Sequence, residues 1–175
     1  VDFAWFTAEE VARFIPTSHE VGARQAVPEA LAHRLARHHF VDIVRGQSPS
    51  WRPQHVREAT LVTEITASTD TTSTLRIQGQ IHLQAAGTWR VGAPDETGPS
   101  DQERGMILTL TGEATYDRAN SRFARFQAIA LGDRWGGTRY NARGRDLGKS
   151  PIGFALTLAS DDERVPPASI WAYGW

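Results

Sequence analysis

Apolar residues recur with a helical period in the first fifty positions and alternate with polar ones from residue 59 onward. Thr7 and Glu10 have the spacing of a capping box, and Val11, Phe14 and Ile15 follow on one side. They predict a short helix from Thr7 that Pro16 stops. Residues 17–26 are polar and read as a connector. Pro28 suits the first turn of a second helix, running through 30–44 and closing at Gly46. At about 100° per residue, Leu31, Ala32, Leu35, Ala36 and Ile43 form one apolar stripe on that helix. His39 falls in the middle of the stripe, with Asp42 at its edge. Residues 48–53, rich in proline, form an extended bridge.

The second part of the chain predicts strands. Leu61, Thr63 and Ile65 alternate with Val62, Glu64 and Thr66. Leu75, Ile77, Gly79, Ile81 and Leu83 point one way, with Arg76, Gln78, Gln80, His82 and Gln84 opposite them. Residues 88–91 continue that strand after a turn at Gly87, and 92–105 read as an exposed loop. Met106, Leu108, Leu110, Ala114 and Tyr116 mark a second long strand. A turn at 117–121 leads to its hairpin partner, 123–131, where Phe123 and Phe126 slip out of phase and predict a bulge. A Gly- and Arg-rich stretch, 132–151, precedes a last core strand at 152–158.

The expected fold is therefore α+β: two N-terminal helices, then a curved antiparallel β-sheet or partial barrel of five to six strands. No helical pattern separates the strands, which disfavours a parallel sheet. The expected organisation is one domain over 1–175, with a helical part (1–50), a sheet (59–160) and an aromatic tail (161–175).

Composition narrows the chemistry. The net charge of −1 offers no overall field for nucleic acid or an anionic membrane. Without cysteine there is no disulfide, thiolate nucleophile or cysteine-bound metal. No apolar run reaches the roughly 18–20 residues of a membrane span. The first residue, Val1, fits a mature form after signal removal or a trimmed chain. The expectation is a protein that is soluble or held at a surface by other chains, periplasmic or extracellular, with no cofactor.

His39 and Asp42, three residues apart on one helix, are the candidate catalytic pair, because a carboxylate beside an imidazole fixes its tautomer and raises its basicity. His38 lies four residues before Asp42 and competes for it. His38, His39 and Asp42 are also the metal candidates, although the six histidines show no diagnostic metal spacing. The competing reading is a core histidine hydrogen-bonded for structure. Arg45 could clamp a carboxylate or phosphate, and Trp51 could close a pocket beside His39 or fill the seam between helix and sheet. Residues 132–149 carry five basic side chains against two acidic ones, with Arg134 and Trp135 as binding candidates. Nucleic acid is disfavoured, and no P-loop, dinucleotide fingerprint or nucleophile elbow is present.

Both ends are aromatic: Phe3, Trp5 and Phe6 at one, Trp171, Tyr173 and Trp175 at the other. Such ends dock either on their own domain or on another chain. The sequence therefore favours a non-enzymatic exported or peripheral protein that binds a partner protein or small ligand, alone or as a subunit of a larger assembly joined through those ends. An enzyme or metal site centred on His39 and Asp42 is the alternative. No motif in the chain names a family.

Overall fold

The computed structural model describes residues 1–92, 98–163, 165–168 and 170–173. Two helices, α1 (Ala8–Ala12) and α2 (Glu29–His39), accompany six strands: β1 (Arg24–Ala26), β2 (Val56–Ser68), β3 (Thr72–Trp89), β4 (Ser100–Asp117), β5 (Arg122–Trp135) and β6 (Ser150–Thr157). The strands form one antiparallel sheet in sequence order, β1 to β6. The sheet curls but stays open, so β1 and β6 are its edges rather than a closed seam. Among the described residues, no helix is long and apolar enough to cross a membrane.

The alternation in the sequence places the core. Ala59, Leu61, Thr63 and Ile65 of β2, with Leu75, Ile77, Ile81 and Leu83 of β3, are buried on one face. Met106, Leu108, Leu110 and Ala114 of β4 continue that face, and α2 covers it with Leu31, Ala32, Leu35 and Ala36. Each fully buried aliphatic side chain contributes about 1.5–3 kcal/mol relative to exposure, so this two-layer contact dominates the stability. The predicted bulge is present: Thr115 pairs with Arg125 and Tyr116 with Phe123, leaving Ala124 as the extra residue. Phe123 and Phe126 then lie 5.4 Å apart, centroid to centroid. The capping box of α1 also forms: the Thr7 hydroxyl accepts from the Glu10 N–H, and the Glu10 carboxylate accepts from the Thr7 N–H.

Four expectations are corrected. The helices do not both precede the sheet, because the expected connector 17–26 supplies β1, which pairs Arg24–Ala26 with Glu64–Val62. Gly87 is not a turn: β3 runs straight through it to Trp89. Residues 100–105 are not loop, because they pair with 84–89 and extend β4. Part of the expected 92–105 loop lies outside the described residues.

The fourth concerns α2, which stops at His39 instead of running to residue 44. Phe40 leaves helical geometry with φ −97° and ψ 72°. Its carbonyl accepts a 2.8 Å hydrogen bond from Trp51 Nε1, and the Arg37 carbonyl accepts one of 2.9 Å from the Trp51 N–H. The last helical carbonyls thus find partners outside the helix. Beyond the break, Ile43 and Val44 are exposed rather than part of the apolar stripe. Gly46 adopts φ +143°, passing close to the Tyr140 carbonyl where Gln47 and Tyr140 form a β-bridge.

Candidate functional site: an arginine–aspartate cluster at the sheet edge

Ending α2 at His39 separates the two residues expected to form a pair. His39 closes the helix and faces the chain ends; Asp42 lies beyond the break and faces the 136–149 connection. Each takes different partners.

Asp42 is buried and sits in the fork of Arg143, accepting from Nε at 2.9 Å and from Nη2 at 3.1 Å. Arg143 also donates from Nη1 to Asp146 at 2.8 Å, and Arg134 Nη2 reaches the same Asp146 oxygen. Arg134 Nε stands 3.9 Å from Asp42, and Arg45 Nη1 stands 3.3 Å from Asp146. Two carboxylates are thus shared among three arginines. Arg134 comes from the core-facing side of β5 and is only 1% exposed. Its Nη1 donates to the carbonyls of Gly136 and Asp146, tying the glycine-rich connection back to the sheet.

The electrostatics are mutually supportive. Hydrogen bonding to Asp42 raises the Arg143 pKa above its usual value, against the opposing effect of burial. Burial works against ionising Asp146, but the Arg143 hydrogen bond and the charges of Arg134 and Arg45 outweigh it and lower its pKa. A fourth arginine, Arg104, stacks 4.1 Å above Trp51 and donates to the Pro49 carbonyl at 3.1 Å. Burial pushes Arg104 down to about 10, with Asp42 partly restoring it, so it stays charged at neutral pH.

This cluster opens into a groove of about 680 Å³. Arg45, Arg143, Arg145 and Asp146 line one side, and residues 150–153 at the start of β6 line the other. Arginine exceeds aspartate along its wall, in a chain whose total charge is −1. The excess is what an anionic group such as a carboxylate or phosphate would meet.

His39 meets both ends of the chain. Its Nδ1 bonds Asp2 at 2.8 Å, and its Nε2 bonds the hydroxyl of Tyr173. Burial lowers the His39 pKa, and the Asp2 hydrogen bond offsets part of that. Tyr173 is half-buried against α2, with the Arg34 guanidinium 4.4 Å from its ring. Arg34 holds Glu10 through two bonds of 2.6 and 2.8 Å and the Trp5 carbonyl at 2.9 Å. Trp5 Nε1 in turn donates to the Val165 carbonyl at 2.9 Å. The ends therefore pack on each other and on α2.

The remaining candidates divide. His38, buried on α2, has no hydrogen-bond partner at either ring nitrogen among the described residues, and burial pushes its pKa down to about 4. Trp51 fills the seam behind the helix at 3% exposure instead of closing a pocket at His39. Trp135 lies over Gly105 and donates to Glu103 at 2.8 Å, away from the groove. Trp171 is 78% exposed on a 3₁₀ turn, Ile170–Tyr173. Trp175 lies outside the described residues. Among the described residues, no three His, Asp or Glu side chains gather closely enough to hold a metal ion.

The sequence reading missed Arg143 and Asp146 as individuals. It flagged only the basic stretch that contains them, and no local spacing marks Arg143 as the partner of Asp42.

No protein-family model matches the chain, and neither a curated protein nor a solved structure matches it.

Proposed function

We propose that this protein is a non-enzymatic binding module that recognises an anionic group of a partner through the groove beside β6. The observation that carries this reading is the excess of arginine over aspartate along that wall, with Arg143 and Arg134 held rigid by Asp42 and Asp146. Both of these guanidinium groups are buried, so they fix the wall while the exposed Arg45 and Arg145 are what a carboxylate or phosphate would meet. Arg45 and Arg145 lie along the groove beside them. A titration with a short aspartate-rich peptide, followed by calorimetry, tests the reading. Binding should weaken at least about tenfold when Arg45 and Arg145 become alanine, and it should fall with added salt. Absence of binding, or binding indifferent to those substitutions, refutes it.

One observation favours an enzymatic second reading: the chain of hydroxyl, imidazole and carboxylate formed by Tyr173, His39 and Asp2. Such a chain can move a proton. The Tyr173 oxygen also accepts from the Trp5 backbone N–H, however, and burial raises the Tyr173 pKa. With both ring nitrogens of His39 engaged, the arrangement serves better as a clamp between the two ends than as a reacting centre.

A further inference from the structure

We infer that the anionic partner is a second copy of this chain, paired edge to edge along β6; this rests on the anion-binding reading of the groove. The two edges of the sheet differ in kind. β1 is three residues long, too short to template another strand. β6 spans Ser150–Thr157 without one charged side chain, and its single proline, Pro151, lies near its start. Natural edge strands are usually blunted by lysine, proline or a bulge, or covered by another element. Among the described residues, no backbone group outside the sheet hydrogen-bonds to β6.

Charge then selects the partner. The arginine groove lies at the start of β6. An exposed acidic turn lies past its end, with Asp161, Asp162 and Glu163 closed by a 2.9 Å bond from the Glu163 N–H to the Ser160 carbonyl. Arg122 neutralises part of that turn, standing 3.6 Å from Asp161 in an exposed pair. Arg164 follows in sequence, outside the described residues. Three acids against two bases still leave the turn negative. Opposite charges at opposite ends of one antiparallel edge make that edge complementary to itself under a two-fold axis.

The pleat restricts the register to those that set like faces together. Ile152, Phe154 and Leu156 face the core side, and Pro151, Gly153 and Ala155 face outward. Residues opposite each other in an antiparallel pair share a face, so the axis must pass through a residue. With the axis at Gly153, Ile152 meets Phe154 of the second copy and Pro151 meets Ala155. The same two-fold axis sets the acidic turn past the end of β6 in one copy toward the exposed Arg45 and Arg145 at the start of β6 in the other. The face beside the new ladder carries Ile129 and Leu131, exposed at 44% and 55%, which the pairing would extend into a larger apolar surface.

Analytical ultracentrifugation of the full chain tests the inference. The wild type should show a concentration-dependent dimer at protein concentrations up to about 0.5 mM. Asp161→Lys/Glu163→Lys and Arg45→Glu/Arg145→Glu should each weaken self-association at least about tenfold by setting like charges against each other. Mixing the two variants should restore a heterodimer, and backbone amides of 150–157 should gain protection from hydrogen exchange on dimerisation. Circular dichroism confirms that each variant folds. A wild type that stays monomeric while its groove binds the aspartate-rich peptide overturns the second-copy inference and leaves the binding reading intact. A dimer insensitive to both charge reversals, or one that mixing fails to restore, overturns it equally. Failure of the peptide to bind, together with a monomeric chain, removes both.

Discussion

Asp42 and Arg143 lie 101 residues apart in sequence, yet the carboxylate sits inside the guanidinium fork at 2.9 and 3.1 Å. This contact joins the segment after α2 to the connection between β5 and β6, and it shapes the groove wall. Removing its charge leaves the buried Arg143 and Arg134 to share one carboxylate, that of Asp146. Asp42→Asn should cost about 3 kcal/mol, read as a lowered urea midpoint. Asp42→Asn/Arg143→Gln should cost less than the two single changes together, by about 1–3 kcal/mol, because the singles break the same contact.

Trp51 stops the helix from outside. Trp51→Phe keeps most of the aromatic volume but leaves the Phe40 carbonyl without the indole N–H. The expected loss is about 1–3 kcal/mol. Hydrogen exchange should show the greatest loosening at the end of α2, at His38, His39 and Phe40.

His38 sets an acid limit. Its folded pKa of about 4 lies below the ordinary 6.5, so the unfolded chain binds the proton more readily. The stability linked to His38 is whole above pH 6.5 and declines as pH falls toward 4, by roughly 2–3 kcal/mol. Burial lowers the His39 pKa too, and it acts in the same direction. His38→Met should stabilise the protein at pH 7 and flatten the loss between pH 6.5 and 4. Urea melts at several pH values read both effects.

The two tail aromatics should behave differently. Trp171 is 78% exposed, so Trp171→Ala should shift stability by less than about 0.5 kcal/mol. Tyr173→Phe removes the hydroxyl bonded to His39 and should cost about 1 kcal/mol. Should the Trp171 change destabilise more than the Tyr173 change, in thermal melts of both, the clamp at His39 is not what anchors the tail.

The strands were legible because burial on one face forces a two-residue period over long runs, as in Leu75–Leu83 and Met106–Tyr116. Even the bulge at Ala124 announced itself through the slipped phase of Phe123 and Phe126. Elements decided by a distant partner were not legible. β1 has three residues and no alternation; it exists because Glu64, Thr63 and Val62 are there to pair with it. Residues 100–105 read as loop because their side chains include Asp101, Gln102 and Glu103, while the ladder that orders them is made by backbone. α2 carries helical periodicity past His39, and it ends where the indole and backbone N–H of Trp51 take the Phe40 and Arg37 carbonyls. The same break redirected the candidate site: one more helical turn would have left Asp42 beside His39, and its loss gave each a partner more than thirty residues away. Arg45 was legible as a possible anion clamp, but the arginines that complete its wall come from the far side of the sheet sequence.

The sequential order of the strands has a kinetic corollary. Every ladder from β2 to β6 joins immediate neighbours in the chain, so the sheet can zip hairpin by hairpin, without first closing a long loop. The contacts spanning most of the chain, Trp5 with Val165 and His39 with Tyr173, gain their full value only after that scaffold exists. Fastening of the ends would then come last on folding and give way first on unfolding, so the hydroxyl of Tyr173 would govern how fast the tail releases while leaving the rate of sheet formation unchanged.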